Sequence, residues 1–229
     1  MPYTLKAFSR SLSVAAFCAV VVVGCGGESS SQLGNDLRAE TGQGSGKIPG
    51  VLRRSNGAEP GSLDPHLAEG VPASNVWRDL YEGLITEKPN GELTGGVAKS
   101  WTVSDDGLLY TFKLRAEAKW SNGDRVTSND FVYSLRRAVD PRTRSTYADV
   151  LSPIRNASAI IAGQFPPDQL GVKAIDDDTL SIRLQGVTPY FLGLLAHATS
   201  YPVHQKTVEQ FGDKFVRPEN TACKKAKLP

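Results

Sequence analysis

The stretch DGLLYTFKLRAEAKWSNGDRVTSNDFVYSLRRAV, residues 106–139, decides the fold of this chain. Residues 110–115 alternate apolar and polar side chains, which predicts a β-strand with one buried and one wet face. Thr127 is followed three residues later by Asp130, a pattern typical of a capped helix start. An apolar stripe at helical spacing then follows, formed by Phe131, Val132, Leu135, Ala138 and Val139. A strand and a helix are therefore predicted side by side in the sequence.

The segment between them, Trp120-Ser121-Asn122-Gly123-Asp124, combines an aromatic residue with an Asn-Gly turn signal. A buried indole at the end of a strand, followed by a tight turn, is an adequate structural explanation. We assign this segment to folding and not to ligand binding.

Further elements lie on both sides of this stretch. The pattern of residues 74–84 predicts a helix with Ser74 as its N-cap, and residues 172–184 predict a β-hairpin. Pro189, after Thr188, predicts a helix start. The hairpin turn Asp176-Asp177-Asp178 could bind calcium, but a solvated turn explains it more simply. Interleaved helices and strands indicate an α/β or α+β fold, with mixed β-sheets and flanking helices.

Composition and charge exclude several classes of protein. The chain has 229 residues, of which 40% are hydrophobic, enough for one large or two small domains with a real core. The formal net charge of +2 lacks the excess of basic residues expected of a nucleic-acid binder. Its 3 histidines stand in no metal-binding spacing, and no nucleophile elbow or nucleotide-binding loop is present. We expect a protein that is not an enzyme and needs no cofactor or metal.

The N-terminus predicts export. Residues 1–24 carry Lys6, Arg10 and a short apolar run, as a signal peptide does, and Val22-Val23-Gly24-Cys25 is typical of a lipoprotein processing site. Cys25 would then carry the lipid, although a plain secretory signal or an uncleaved anchor remains an alternative. Residues 25–50 are rich in Gly and Ser, which predicts a flexible tether between a membrane and the folded part. We expect a membrane-anchored lipoprotein of the periplasm or cell envelope.

Several segments occur in the order known from one family. They are Glu59–His66, Glu69–Pro72, Leu80–Leu84, Val97–Trp101, and residues 106–115, 119–124 and 127–137. Together they resemble the family 5 extracellular solute-binding proteins, over about residues 51–220. The resemblance implies a periplasmic-binding-protein type II-like fold that closes on its ligand by hinge motion. It also implies the substrate-binding component of an oligopeptide ABC importer, a monomer whose partners are peptides and the permease subunits.

The resemblance also implies a ligand site. Family members bind an extended peptide through main-chain hydrogen bonds. Glu69 and the segment Val71-Pro72-Ala73 match a loop beside the peptide, while Tyr147 and His197 match residues that line the cleft.

Each of these assignments has a structural alternative. Glu69 could be a solvated loop acid and Val71 a packing residue. Tyr147 and His197 could be hydrogen-bonded core residues. We do not assign Arg78 to the site, because an ion pair with Asp79 or Glu82 on its own helix would account for it.

Family members are about twice as long as this chain, so the resemblance implies an incomplete fold that lacks the second ligand-binding lobe. Residues 221–229 depart from the family pattern and form a basic tail with an unpartnered Cys223. We therefore expect weak or no peptide binding and low solubility. Dipeptides, nickel or haem are alternative ligands within the family. The alternative function is a structural or partner-binding lipoprotein without transport activity.

Overall fold

The computed structural model describes residues 55–67 and 69–220. The predicted signal peptide, Cys25, the tether and the tail 221–229 lie outside the described residues. Among the described residues, no helix has the length and apolar character needed to cross a membrane.

Two antiparallel sheets form the framework. The strands are β1 (Ile85–Glu87), β2 (Leu93–Gly95), β3 (Ala98–Val103), β4 (Leu109–Leu114), β5 (Val172–Asp176) and β6 (Thr179–Arg183). β1 pairs with β2 in a separate hairpin, and the other strands form a sheet in the order β3-β4-β6-β5. The sheet therefore joins two parts of the sequence that lie far apart, since β4 pairs with β6.

The central strand β4 confirms the alternation read from the sequence. Tyr110, Phe112 and Leu114 are buried, whereas Lys113 between them is exposed. Phe112 lies opposite Leu180 of β6 and Trp101 of β3, so its ring is covered from both neighbouring strands. This strand is the centre of the hydrophobic core.

The predicted hairpin is also confirmed, as β5 and β6. Hydrogen bonds within the turn engage the carboxylate of Asp176, which accepts from the backbone N–H of Asp178 at 2.9 Å and from the hydroxyl of Thr179 at 2.8 Å. Asp178 is ion-paired with Arg125. These contacts favour the solvated-turn interpretation over a calcium site.

The helices are α1 (Gly70–Leu80), α2 (Ser128–Val139), α3 (Ala157–Ile161), α4 (Phe191–Leu194) and α5 (Gln205–Phe211). Short 3-10 helices lie at Pro141–Thr143, Ala148–Leu151, Pro167–Gln169, Ala198–Ser200 and Gly212–Val216. α2 confirms the predicted capped helix: the Asp130 carboxylate accepts from the backbone N–H of Thr127 at 2.8 Å and from its hydroxyl at 3.0 Å. α2 packs against β5 and β6, and its apolar stripe is buried apart from half-buried Val132.

Three predicted helix boundaries are wrong. α1 begins at Gly70 and not after Ser74, because Pro72 stands in the first turn, where a missing N–H costs no intrahelical hydrogen bond. It ends at Leu80 and not at Leu84, and Tyr81 continues in extended conformation toward β1. α4 begins at Phe191 and not at Pro189, so it is a single turn.

Two hydrophobic clusters hold the described residues together. The main cluster lies between the large sheet and α2, with Phe112, Phe131 and Phe191 among its fully buried members. A smaller cluster joins α1 to the segment after α4 and consists of Ala73, Trp77, Tyr81 and Tyr201. Trp120 is buried, as the folding interpretation of its motif requires, and its carbonyl accepts from the N–H of Gly123 at 2.9 Å in the predicted turn.

Candidate ligand-binding groove

A groove of about 300 Å³ opens between α1 and the chain segments around residues 147 and 197. We call it the aromatic groove. It is lined by Gly70, Val71, Ser74, Trp77, Arg78, Tyr147, Ala196, His197, Ala198 and Tyr201. Three of the residues predicted as ligand contacts, Val71, Tyr147 and His197, therefore lie on one surface, although they are far apart in the sequence.

Tyr147 and His197 contact each other edge to face, with ring centroids 5.4 Å apart. Nδ1 of His197 accepts a hydrogen bond from the backbone N–H of Thr199 at 3.2 Å. Because an amide N–H only donates, the proton of the neutral imidazole resides on Nε2. Burial lowers the pKa of His197 from its ordinary value, so the ring is neutral near neutral pH. His197 thus has one N–H that can donate to an acceptor in the groove.

The predicted loop at residues 69–73 has a different conformation from the one expected. Gly70–Ala73 forms the first turn of α1, so this segment is helical and not the loop expected from the sequence. Helical carbonyls accept intrahelical bonds, which leaves mainly first-turn N–H groups for other partners. The side chain of Val71 is 71% exposed, whereas Ala73 is fully buried in the smaller cluster.

Glu69 and Pro72 are sequence neighbours of lining residues but do not line the groove themselves. Glu69 is exposed and accepts a hydrogen bond from the hydroxyl of Thr146 at 2.9 Å, which ties the start of α1 to the residue before Tyr147. The carbonyl of Pro72 accepts from the side-chain amide of Asn56 at 3.0 Å. Both residues therefore connect the start of α1 to other parts of the chain.

A second, more polar groove of about 170 Å³ adjoins the first. We call it the polar groove. It is lined by Arg78, Tyr81, Glu82, Thr86, Glu87, Ala196 and Tyr201. Arg78, Ala196 and Tyr201 line both grooves, so the two surfaces are continuous. Burial raises the pKa of the Tyr201 hydroxyl, which donates to the carbonyl of Ala196 at 3.3 Å.

Arg78 differs from the sequence-based expectation. It forms no ion pair with Asp79 or Glu82, the two partners that its helix offers. The sequence did not reveal that Arg78 lines the groove. The spacing of residues along one helix does not show which residues from distant parts of the chain lie opposite that helix.

Behind the grooves, a buried polar cluster fixes the backbone of Tyr201. Arg137 donates to both carboxylate oxygens of Asp64, at 3.1 and 2.6 Å, and to Nδ1 of His66 at 2.7 Å. Nε2 of His66 donates to the carbonyl of Tyr201 at 3.0 Å. This pattern requires a neutral His66, since Arg137 only donates.

Both titratable members of this cluster have shifted pKa values. Burial, reinforced by the charge of Arg137, lowers the pKa of His66 to about 4, although the charge of Asp64 opposes this shift. Burial by itself would raise the pKa of Asp64, but the hydrogen bonds from Arg137 and the surrounding charges together lower it. No signal in the sequence indicates this cluster, since its partners are more than 70 residues apart.

A larger cavity of about 460 Å³ lies beside α2 and is lined in part by Tyr133, Arg136 and Arg142. Its arginines already have partners: Arg136 donates to the carbonyl of Asp168 at 2.9 Å, and Arg142 is ion-paired with Asp140. It contains none of the predicted contacts. No cluster of three or more His, Cys, Asp or Glu side chains suited to a metal ion occurs within residues 55–67 and 69–220.

Comparison with known families supplies the identification. Residues 92–223 match the model of the bacterial extracellular solute-binding proteins, family 5. The chain belongs to this family. Members of family 5 are solute-binding proteins and not enzymes.

Individual family 5 proteins are also similar to this chain in sequence. The periplasmic oligopeptide-binding protein OppA of Escherichia coli is 48% identical over 172 residues, which are 74% of this chain and 32% of that protein. The periplasmic murein peptide-binding protein MppA of the same organism is 47% identical over 164 residues, 71% of this chain and 30% of that protein. The chain therefore spans about a third of the length of the curated relatives that it matches.

Solved structures of family 5 proteins share the fold. OppA of Haemophilus influenzae, in complex with the peptide RPPGFSPFR, has a TM-score of 0.70 at 48% sequence identity, over 72% of this chain and 33% of that one. The unliganded open form of MppA has a TM-score of 0.68 at 47% identity, over 71% of this chain and 32% of that one. The predicted type II periplasmic-binding fold is confirmed.

Proposed function

We propose that this chain serves oligopeptide uptake as the substrate-binding component of an ABC importer, and that an extended peptide occupies the aromatic groove. One observation carries the proposal: Val71, Tyr147 and His197, named from the sequence as ligand contacts, line one groove in a family 5 chain. OppA and MppA, named as peptide-binding proteins, support the choice of ligand class.

The groove suits a peptide backbone. The Nε2–H of His197 can donate to a peptide carbonyl, and the first turn of α1 provides further backbone donors. The ring of Tyr147, which is 41% exposed, offers contact area without selecting one side chain. A peptide would thus be held mainly by groups that all peptides share.

We expect the affinity of this chain to be weak. A ligand in an open groove stays hydrated on one side, and each hydrogen bond that competes with water contributes only ~0.5–1.5 kcal/mol. A dissociation constant in the millimolar range, which corresponds to about −4 kcal/mol, is the expected result.

The test is an NMR titration of the chain with a mixture of tri- to pentapeptides up to millimolar concentration. We expect saturable shifts in the amide signals of residues 70–78, 145–147 and 196–201. Free amino acids at equal concentration are the control and should not reproduce them. Absence of shifts at millimolar peptide, or shifts confined to the cavity beside α2, would contradict the proposal.

We further propose that residues 1–24 are a signal peptide, that Cys25 carries a lipid, and that residues 25–50 tether a monomeric binding domain, residues 51–220, to the cell envelope. The permease subunits of the transporter would be its partners there. Metabolic labelling with a radioactive fatty acid should mark the chain, and Cys25→Ser should abolish the label while Cys223→Ser leaves it. Label that persists in the Cys25→Ser variant would refute the lipid site.

A further inference from the structure

The place where the two grooves meet contains a cationic side chain that no other described group neutralises. Arg78 lies in the last turn of α1 and is exposed, and it lines both the aromatic and the polar groove. A peptide that extends from the first groove into the second therefore has to pass its guanidinium group.

Within residues 55–67 and 69–220, the side chain of Arg78 forms no hydrogen bond and no ion pair. Two other arginines differ, because Arg137 is ion-paired with Asp64 and Arg142 with Asp140. A guanidinium carries five N–H donors in a planar fork that fits a carboxylate in bidentate fashion. The donors of Arg78 are therefore available to a ligand.

The charges beyond Arg78 determine where an anion can stop. Glu82 and Glu87 line the polar groove and do not line the aromatic groove. A ligand carboxylate is attracted at the junction but repelled further along, since like charges at short range are unfavourable. The neutral Tyr201 hydroxyl, already donating to Ala196, adds no competing charge at this position.

We propose that Arg78 binds a carboxylate group of the peptide ligand at the junction of the two grooves. This inference rests on the proposed function, because the aromatic groove holds the rest of the peptide. The carboxylate is either the free C-terminus of the peptide or an Asp or Glu side chain. Arg78 is then a specificity-determining residue that favours peptides with an anionic group at this position.

If Arg78 had a purely structural role, its replacement would affect stability and not ligand preference. A cation in the last turn of a helix interacts favourably with the helix dipole, and its loss would lower stability. That effect does not depend on whether a ligand carries a carboxylate. The preference for acid over amide therefore separates the two roles.

The experiment compares two pairs of peptides by NMR titration of the full chain. One pair is tetra-alanine with a free C-terminus and with a C-terminal amide. The other pair is an amidated alanine peptide with one Glu and the same peptide with Gln. The variant is Arg78→Gln, and the matched control is Arg155→Gln, which changes an exposed arginine that lines neither groove.

We expect the wild type to prefer one carboxylate-bearing member by about fivefold, which corresponds to ~1 kcal/mol for an exposed ion pair. Arg78→Gln should abolish this preference, and Arg155→Gln should keep it. Preference within the first pair assigns the C-terminus, and preference within the second assigns a side chain. Peptide binding without a preference, or with a preference that survives Arg78→Gln, overturns the inference alone. No binding of any of the four peptides by the wild type overturns the proposed function, and this inference with it.

Discussion

Arg137 holds the carboxylate of Asp64 with two parallel hydrogen bonds, at 3.1 and 2.6 Å, across 73 residues of sequence. Both side chains are largely buried, so the pair connects the segment before α1 firmly to α2. The same Arg137 lies 5.5 Å from the ring centroid of Phe215, which covers it from the C-terminal side.

Arg137→Gln should therefore be strongly destabilising. It leaves Asp64 buried without its cationic partner, which typically costs ~3–5 kcal/mol of the free energy of unfolding. Urea unfolding of the variant measures this loss. Arg142→Gln is the control, because Arg142 also forms an ion pair with an aspartate but its side chain is 85% exposed, and a much smaller loss is expected. Equal losses for the two variants would contradict the assignment of Arg137 as a buried anchor.

His66 should make stability depend on pH. Its pKa is about 4 in the folded chain, against 6.5 in the unfolded chain, so between these values the unfolded chain binds the additional proton. The free energy of unfolding therefore decreases as pH falls from 6.5 toward 4, by about 3 kcal/mol in total. Urea unfolding within and above this window measures the change.

The control for this pH effect is His66→Gln, which removes the titrating group. Its pH dependence should be smaller but not zero, since the lowered pKa of His197 contributes with the same sign. The same slope in wild type and His66→Gln would show that another group is responsible.

Gly96 should not tolerate a side chain. A Cβ at this position would lie 2.5 Å from the backbone carbonyl oxygen of Gly83, where the hairpin β1–β2 returns toward the chain after α1. Gly96→Ala should lower the free energy of unfolding by ~1–3 kcal/mol through overpacking. Gly186→Ala is the matched control, because a Cβ there meets no atom within 4 Å. Thermal unfolding distinguishes the two, and an unchanged melting temperature for Gly96→Ala would be the contrary result.

Tyr147 should contribute to ligand affinity without contributing much to stability. Its ring contacts His197 in the aromatic groove and is 41% exposed. Tyr147→Ala should weaken peptide binding about fivefold, from the loss of ~1 kcal/mol of aromatic contact. Tyr190→Ala removes an equally large side chain that is 67% exposed and lines neither groove, and should leave affinity unchanged. If both variants bind peptides alike, the aromatic groove is not the binding surface.

The parts of the fold that were predicted correctly depend on local patterns. The alternation in β4, the capping pair of Thr127 and Asp130 in α2, and the β5–β6 hairpin each need only neighbouring residues to be recognised. Their boundaries follow from the same short-range physics of capping and pleating.

The errors arose where a local signal was ambiguous. Ser74 is a favourable N-cap residue, but α1 begins four residues earlier, because Gly70 tolerates the positive φ of 84° found there and Pro72 fits a first turn. Thr188 and Pro189 look like a helix start, yet the chain becomes helical only at Phe191. In both places several start positions satisfy the rules, and tertiary packing selects one.

The candidate site was predictable only in part. The resemblance to family 5 named Val71, Tyr147 and His197, which meet in the aromatic groove, but it did not reveal the burial of Ala73 or the unpaired guanidinium of Arg78 in the described chain. Contacts such as Asp64 with Arg137 depend on the complete tertiary arrangement, and spacing along the chain carries no information about them.

The smaller hydrophobic cluster, which seats α1 against Tyr201, has no member in common with the main one. Substitutions of the α1 residues in this cluster therefore change its packing and leave the buried core of the large sheet unchanged. The wall that α1 gives to the proposed peptide groove can therefore be remodelled without rebuilding the main core.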